Sequence, residues 1–212
     1  MEIVLNSKRC LCVHSMLQVV DVVLKSILFQ RQFTSELVDR LLESDEKFAG
    51  DYNRVADVLR DCFRSRNLDA IQEVVIVVGP SCYAPREFFR IPIRLCSNDA
   101  SSSACGSHCG ELTDREVKAF YRSMMTRFPV DSFKKLKRTD RAYIAFKASE
   151  SIDLSSFEEI DTEESFEFLD TGESKALQAR VMLNHECVLE EAQPKERSSC
   201  WFRVIPHFKV VP

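Results

Sequence analysis

The amino-acid order predicts an α+β domain: helices come first, strands mostly follow, and a β-branched run between them marks a buried strand. Apolar residues recur at three- and four-residue spacing from Val13 to Phe63, the period of helices that bury one face. Val74-Val75-Ile76-Val77-Val78 is an unbroken β-branched run closed by Gly79-Pro80, and alternating segments follow it. Helices grouped ahead of strands suit a mixed or mostly antiparallel sheet rather than a doubly wound parallel one. No internal repeat divides the chain, and 212 residues fit one large domain able to bury its own core.

Each element has its own signal. Val13, Leu17, Val20, Leu24 and Ile27 form one stripe with Asp21 and Lys25 on another face, predicting an amphipathic helix over 13–31. Phe33 followed by Thr34-Ser35 reads as a staple and cap ahead of a short helix holding Leu37, Val38, Leu41 and Leu42. Val55, Val58, Leu59, Cys62 and Phe63 predict a third helix over 52–65. The run at 74–78 reads as a central strand covered on both faces. In 89–95, Phe89, Ile91, Ile93 and Leu95 alternate with Arg90, Pro92 and Arg94, so this strand has one wet face. Pro92 lacks an N–H and points to an edge or a bulge. Residues 96–111 read as a surface loop. Thr113-Asp114-Arg115-Glu116 is a capping box opening a helix to about Phe128. Strands are predicted at 143–148, 176–184 and 201–211.

Composition excludes more than it names. The formal net charge is −4 and the pI near 5.7, which argues against a nucleic-acid binder, since counterion release needs a basic face. No uninterrupted apolar run reaches bilayer length, so no membrane span is expected. Five glycines offer neither a G-x-G-x-x-G nor a phosphate-loop pattern. The nine cysteines are expected to be reduced thiols of an intracellular chain. Charge is segregated: 115–147 holds ten Lys/Arg against three Asp/Glu, and 148–174 holds ten Asp/Glu with no Lys or Arg, an exposed acidic connector.

Candidate chemistry is sparse. Cys105, His108 and Cys109, with Cys96 nearby, have metal-ligand types, but no second compact pair follows to complete a tetrahedral zinc site. Gly106 to Gly110 places His108 where a nucleophile elbow needs serine. His14, His185 and His207 stand apart from any telling carboxylate. No catalytic set survives, and the chain is expected not to be an enzyme and to need no cofactor. One helix carries an excess. Val117, Phe120, Met124 and Phe128 suffice as its core stripe, yet Tyr121 and Met125 add a second apolar ridge, flanked by Lys118 and Arg122. Tyrosine, methionine and arginine together are an interface composition.

These motifs, in order, resemble the HORMA domains. Leu24 to Phe33, "LKSILFQRQF", is similar to the close of that family's first helix, and Val74 to Ile93, "VVIVVGPSCYAPREFFRIPI", to its strand, turn and strand. Gln30-Arg31-Gln32, Pro85 to Phe89 and the closing "WFRVIPHFK" of Trp201 to Lys209 most resemble the comet branch, partners and antagonists of the closed checkpoint protein Mad-two. The resemblance runs over nearly the whole chain.

That resemblance implies a single HORMA-like domain over 1–212, with three helices packed on a mostly antiparallel sheet. Residues 1–149 would form the helices and core sheet, and 150–212 a C-terminal safety belt, including the acidic connector, closed on the protein itself. Trp201, Phe202, Pro206 and Phe208 would close the belt. It implies a nuclear and cytoplasmic adaptor that binds a closed Mad-two-like HORMA protein, helix to helix. The adaptor would present its client to a Pch-two-type AAA+ ATPase, silencing the spindle checkpoint, with meiotic HORMA proteins as further clients. Gln30 and Tyr121 fall at the family's partner-contact positions, where the second is commonly Phe; Arg31, Lys118, Arg122 and Met125 surround them. Two alternatives stay open: a HORMA protein that itself captures a closure peptide, and a small zinc- or thiol-dependent enzyme built on the 96–109 loop.

Overall fold

Burial on both faces decides which strand is central. β2 (Ile71–Gly79) is buried along nearly its whole length and is the middle strand of a seven-stranded sheet. The computed structural model describes residues 1–8, 10–64, 71–95, 110–149, 160–162, 175–184 and 199–210. Around β2 run β1 (Glu2–Asn6), β3 (Glu87–Pro92), β4 (Arg141–Ser149), β5 (Ile160–Thr162), β6 (Leu177–Asn184) and β7 (Ser199–Lys209), in the spatial order β1-β6-β3-β2-β4-β7-β5. The sheet is mixed: β6 runs parallel to both β1 and β3, and the remaining pairings are antiparallel. The α+β expectation holds.

The helices are α1 (Val13–Gln30), α2 (Val38–Ser44), α3 (Glu46–Arg64) and α4 (Asp114–Arg127). α1, α3 and α4 share one core with Val74, Ile76 and Val78 of β2 and with Ile144 and Phe146 of β4. α2 has seven residues and buries only Val38. The predicted α1 stripe is in the core, and Met16, Val19, Val22, Val23 and Leu28 are buried with it. α1 has a mean hydropathy of 1.2, apolar and long enough to cross a bilayer by composition, but its apolar positions are spent on the other elements. This is the environment of a core helix.

The opposite face of the sheet has its own apolar cluster. Val75, Val77, Phe88, Ala145 and Trp201 alternate out of register with the first set and are also buried. Alternation places successive side chains on opposite faces, so a strand buried on both must be apolar throughout.

Several boundaries differ from expectation, each for a physical reason. α3 begins at Glu46, six residues before the predicted start; the polar residues and Gly50 of its first turns break the apolar period that marks the rest. α2 starts at Val38, with Leu37 at the N-cap position and no side-chain cap, not at Thr34 or Ser35; Thr34 is buried instead. β3 is an interior strand. Its Pro92 is tolerated because pairing with β6 ends at Arg90. On its expected wet face Arg90 lies across to Glu73, with Nε–Oε1 at 2.9 Å and Nη2–Oε2 at 2.6 Å. β1 and the three-residue β5 were not expected at all, and β5 falls inside the acidic block.

Two turns depend on local geometry. α1 ends with Gln32 in the left-handed region at φ 58°, while Phe33 N–H donates to the Leu28 carbonyl and Gln32 N–H to that of Phe29. Phe33 and Leu28, both buried, pack across this cap. At the end of β2, a Cβ added to Gly79 would stand 2.5 Å from the Ala84 carbonyl oxygen. Only glycine lets the chain turn back so closely into β3.

Candidate functional site

α4 is built as its capping box predicts. Thr113 Oγ1 accepts from Glu116 N–H at 3.4 Å, and the Glu116 carboxylate accepts from Thr113 N–H at 2.8 Å. This reciprocal pair starts the helix where its stripe begins. Phe120 and Met124 are buried, and Val117 and Tyr121 lie half-buried against the same core. Phe128, just past the helix, stacks on Phe89 and Phe133 with centroids 5.7 and 5.3 Å away. Tyr121 thus packs against the core on one side and, with Met125, remains partly exposed on the other.

Those two residues form the outer ridge, and α1 meets it. α1 packs along α4, bringing Gln30 Nε2 to 3.0 Å from Met125 Sδ and 3.4 Å from the Met125 carbonyl oxygen. Tyr121 OH reaches Asp39 Oδ2 on α2 at 3.3 Å. Lys25 Nζ stands between two carboxylates, 2.8 Å from Asp21 and 2.8 Å from Asp39. Tyr52 OH of α3 donates to Asp21 at 2.7 Å. The chain Tyr52–Asp21–Lys25–Asp39–Tyr121 thus joins α1, α2, α3 and α4.

Three groups of this network hold their protons more tightly than usual. Burial, then Asp39 and Asp21, push the Tyr121 phenol up. Burial and Asp21 do the same to Tyr52. Burial works against the Lys25 charge, but Asp21 and Asp39 outweigh it and raise its pKa. Neutral phenols hydrogen-bonded to carboxylates, beside a fixed ammonium, position side chains; they offer no nucleophile. α1's Asp21 and Lys25 were legible as a polar face, but nothing in the order of residues announces that Asp39 meets Tyr121 across 82 positions.

The other expected site residues divide. Lys118 and Arg122 are exposed on α4 beside the ridge. Arg31 is not on this surface. It is 5% exposed, with Nε and Nη2 on the two Glu87 oxygens at 2.9 and 2.6 Å and Nη2 also on the Lys134 carbonyl at 2.6 Å. Its guanidinium lies 4.9 Å over the Phe133 ring. An arginine so engaged ties α1 to β3 and has no donor face to offer a partner. Burial also raises the Glu87 pKa, against the opposing pull of Arg31.

Trp201, Phe202, Pro206 and Phe208 all lie on β7. Phe202 stacks on Phe146 at 5.4 Å, and Phe208 packs at 5.9 Å from both Phe48 and Tyr52 of α3. Trp201 is on the other sheet face, with Lys147 Nζ 5.8 Å over its ring. Pro206 sits where the β4–β7 register shifts: Ile144 pairs with Val204 and Tyr143 with His207. Such a bulge accepts a residue without an N–H.

Thiol chemistry differs from the expected set of reduced cysteines, because Cys10 is disulfide-bonded. Cys62 and Cys82 are free thiols. The Cys62 thiol is pushed up to about 12, first by burial and then by Asp61, and is inert. Cys96, Cys105, His108 and Cys109, the basis of the zinc alternative, lie outside the described residues. Among the described residues no group of three His, Cys, Asp or Glu could hold a metal ion. Compared with known proteins, the chain matches no family model and no curated protein, so the functional reading rests on the α1–α4 surface.

Proposed function

We propose that the chain is a HORMA-like adaptor of the comet type, a non-enzymatic protein that binds a closed Mad-two-like HORMA protein through α1 and α4. Its role is to present that client to a Pch-two-type AAA+ ATPase in the nucleus and cytoplasm, silencing the spindle checkpoint and acting on meiotic HORMA proteins. One observation carries the reading: Gln30 of α1 and the Tyr121–Met125 ridge of α4, far apart in the chain, meet in one partly exposed surface. A half-buried aromatic on a preorganised polar network is a good anchor, because little rotamer freedom is lost when a partner covers it.

The placement of the last strands supports the belt. β6 lies between β1 and β3, and β7 between β4 and β5, so the C-terminal region reaches both sides of the β3-β2-β4 centre. With those edges taken by its own chain, a self-closed adaptor fits better than a protein that captures a closure peptide.

The test is co-purification of the Tyr121→Ala, Gln30→Ala double variant with closed Mad-two. Binding is expected to weaken about thirtyfold or more, equivalent to about 2 kcal/mol, while the domain stays folded. Normal recovery of the partner would remove the site assignment.

A further inference from the structure

A second surface lies at the other end of α4. β1 is the outermost strand beside β6, and its bonds to that neighbour alternate: Arg180 N–H donates to Met1 O, and Ser7 N–H to Asn184 O, both at 2.8 Å. In a parallel ladder this leaves the N–H and C=O groups of Glu2, Val4 and Asn6 facing outward. Arg127 of α4 covers the Val4 carbonyl. Past it, from Asn6 to Lys8, the edge opens into a cleft of about 860 Å³ shared with the first half of α4. Phe120 forms part of its wall.

Cations outnumber carboxylates in this cleft. Lys8, Arg115, Lys118 and Arg122 line it, and all four are exposed. Arg115, Lys118 and Arg122 recur at helical spacing along one face of α4. The two acidic lining residues are Asp114, which is exposed, and Glu116, which is engaged by the Thr113 cap, so the lining keeps an excess of cations. A chain of net charge −4 thus gathers four cations, against Asp114 and Glu116, beside the strand that is outermost among the described residues.

We propose that this cleft docks an acidic segment of a partner protein in extended conformation, adding it as a strand outside β1 near Asn6. Its carboxylates would meet Lys8, Arg115, Lys118 and Arg122. Edge groups supply backbone hydrogen bonds, and alternate side chains of the added strand fall toward the basic wall of α4. A peptide fits better than a nucleic acid, because a strand edge pairs with an amide backbone and the cleft holds a few side chains, not a duplex. The cleft shares Lys118 and Arg122 with the flank of the Gln30–Tyr121 ridge, so the test substitutes Lys8 and Arg115, which lie outside it.

The probe is a short fluorescein-labelled peptide of alternating glutamate and threonine, followed by anisotropy with the full chain at low salt. Saturable binding that weakens with salt is expected. Lys8→Glu with Arg115→Glu, neither in the ridge, should weaken it about tenfold or more while thermal unfolding and Mad-two binding stay unchanged. The same peptide N-methylated at alternate amides keeps its charge and should bind at least tenfold more weakly. Equal binding of the methylated peptide would overturn strand addition, and no binding of the parent peptide would overturn the site. Tighter binding of a single-stranded oligonucleotide, abolished by the same variant, would also overturn it in favour of a nucleic-acid surface.

Discussion

Gln32 shows how much one backbone angle decides. Its φ of 58° lies in the left-handed region, where a Cβ crowds the carbonyl, at a cost of roughly 1–2 kcal/mol for a non-glycine residue. The conformation persists because it completes the cap: Phe33 and Gln32 N–H groups satisfy the carbonyls of Leu28 and Phe29. Gln32 itself is exposed, so its side chain contributes no packing that glycine would forfeit. Gln32→Gly is therefore expected to stabilise the domain by about 0.5–1 kcal/mol, relief of strain outweighing the extra freedom of an unfolded glycine. Gln32→Val should destabilise it by at least about 1 kcal/mol, since β-branching makes the same angle harder to hold. Urea midpoints of the two variants would bracket the wild type; a lower midpoint for the glycine variant would show that the angle carries no strain. The sequence could not disclose this turn, because Gln carries no turn signal and the left-handed residue there is usually glycine. Tyr121 and Met125 were legible at the same scale, since helical spacing alone shows two ridges where a core needs one.

At the scale of elements, the polar chain from Tyr52 to Tyr121 sets a pH dependence. Lys25 and Tyr52 both hold their protons to higher pH when folded than their ordinary values of 10.5 and 10.0. Above that range the folded state binds more protons than the unfolded one, so stability falls as pH rises. The Lys25 contribution is fully present below 10.5 and disappears as pH passes through its folded value. Tyr52→Phe should cost about 2 kcal/mol at neutral pH, through loss of the hydrogen bond to Asp21. It should also flatten the decline measured by denaturant unfolding between about pH 9 and 11. An unchanged slope would mean that Tyr52 titrates alike in both states. Which elements the sequence revealed follows from the same physics. α1, α3, β2 and α4 were visible because long periodic or β-branched runs leave one solution. β1 alternates over only five residues, and β5 over three within an acidic run, so their strand character comes from the neighbours they pair with. The meeting of α2 with α4 at Asp39 and Tyr121 was hidden for the same reason: tertiary packing, not local order, makes that bond.

Across the whole molecule, β7 is where the layers are joined. It pairs with β4 along nearly its full length and carries β5 outside it. Its side chains serve three partners: Phe202 stacks on Phe146 in the main core, Trp201 seals the far face, and Phe208 reaches Phe48 and Tyr52 of α3. Tyr52 in turn begins the polar chain that ends beneath the α4 ridge, so β7 touches the network that positions the candidate interface. Phe208 is 4% exposed, and truncating a buried phenylalanine typically costs about 3–5 kcal/mol. Phe208→Ala is expected to fall in that range and to loosen Tyr52, because two of the three rings in the cluster would remain around a void. Amide exchange should accelerate first in β7 and at the start of α3, with β2 protected until global unfolding, since β2 is buried on both faces and paired on both sides. Exchange rising equally in β2 would mean that β7 is not a separable closing element but part of one cooperative core.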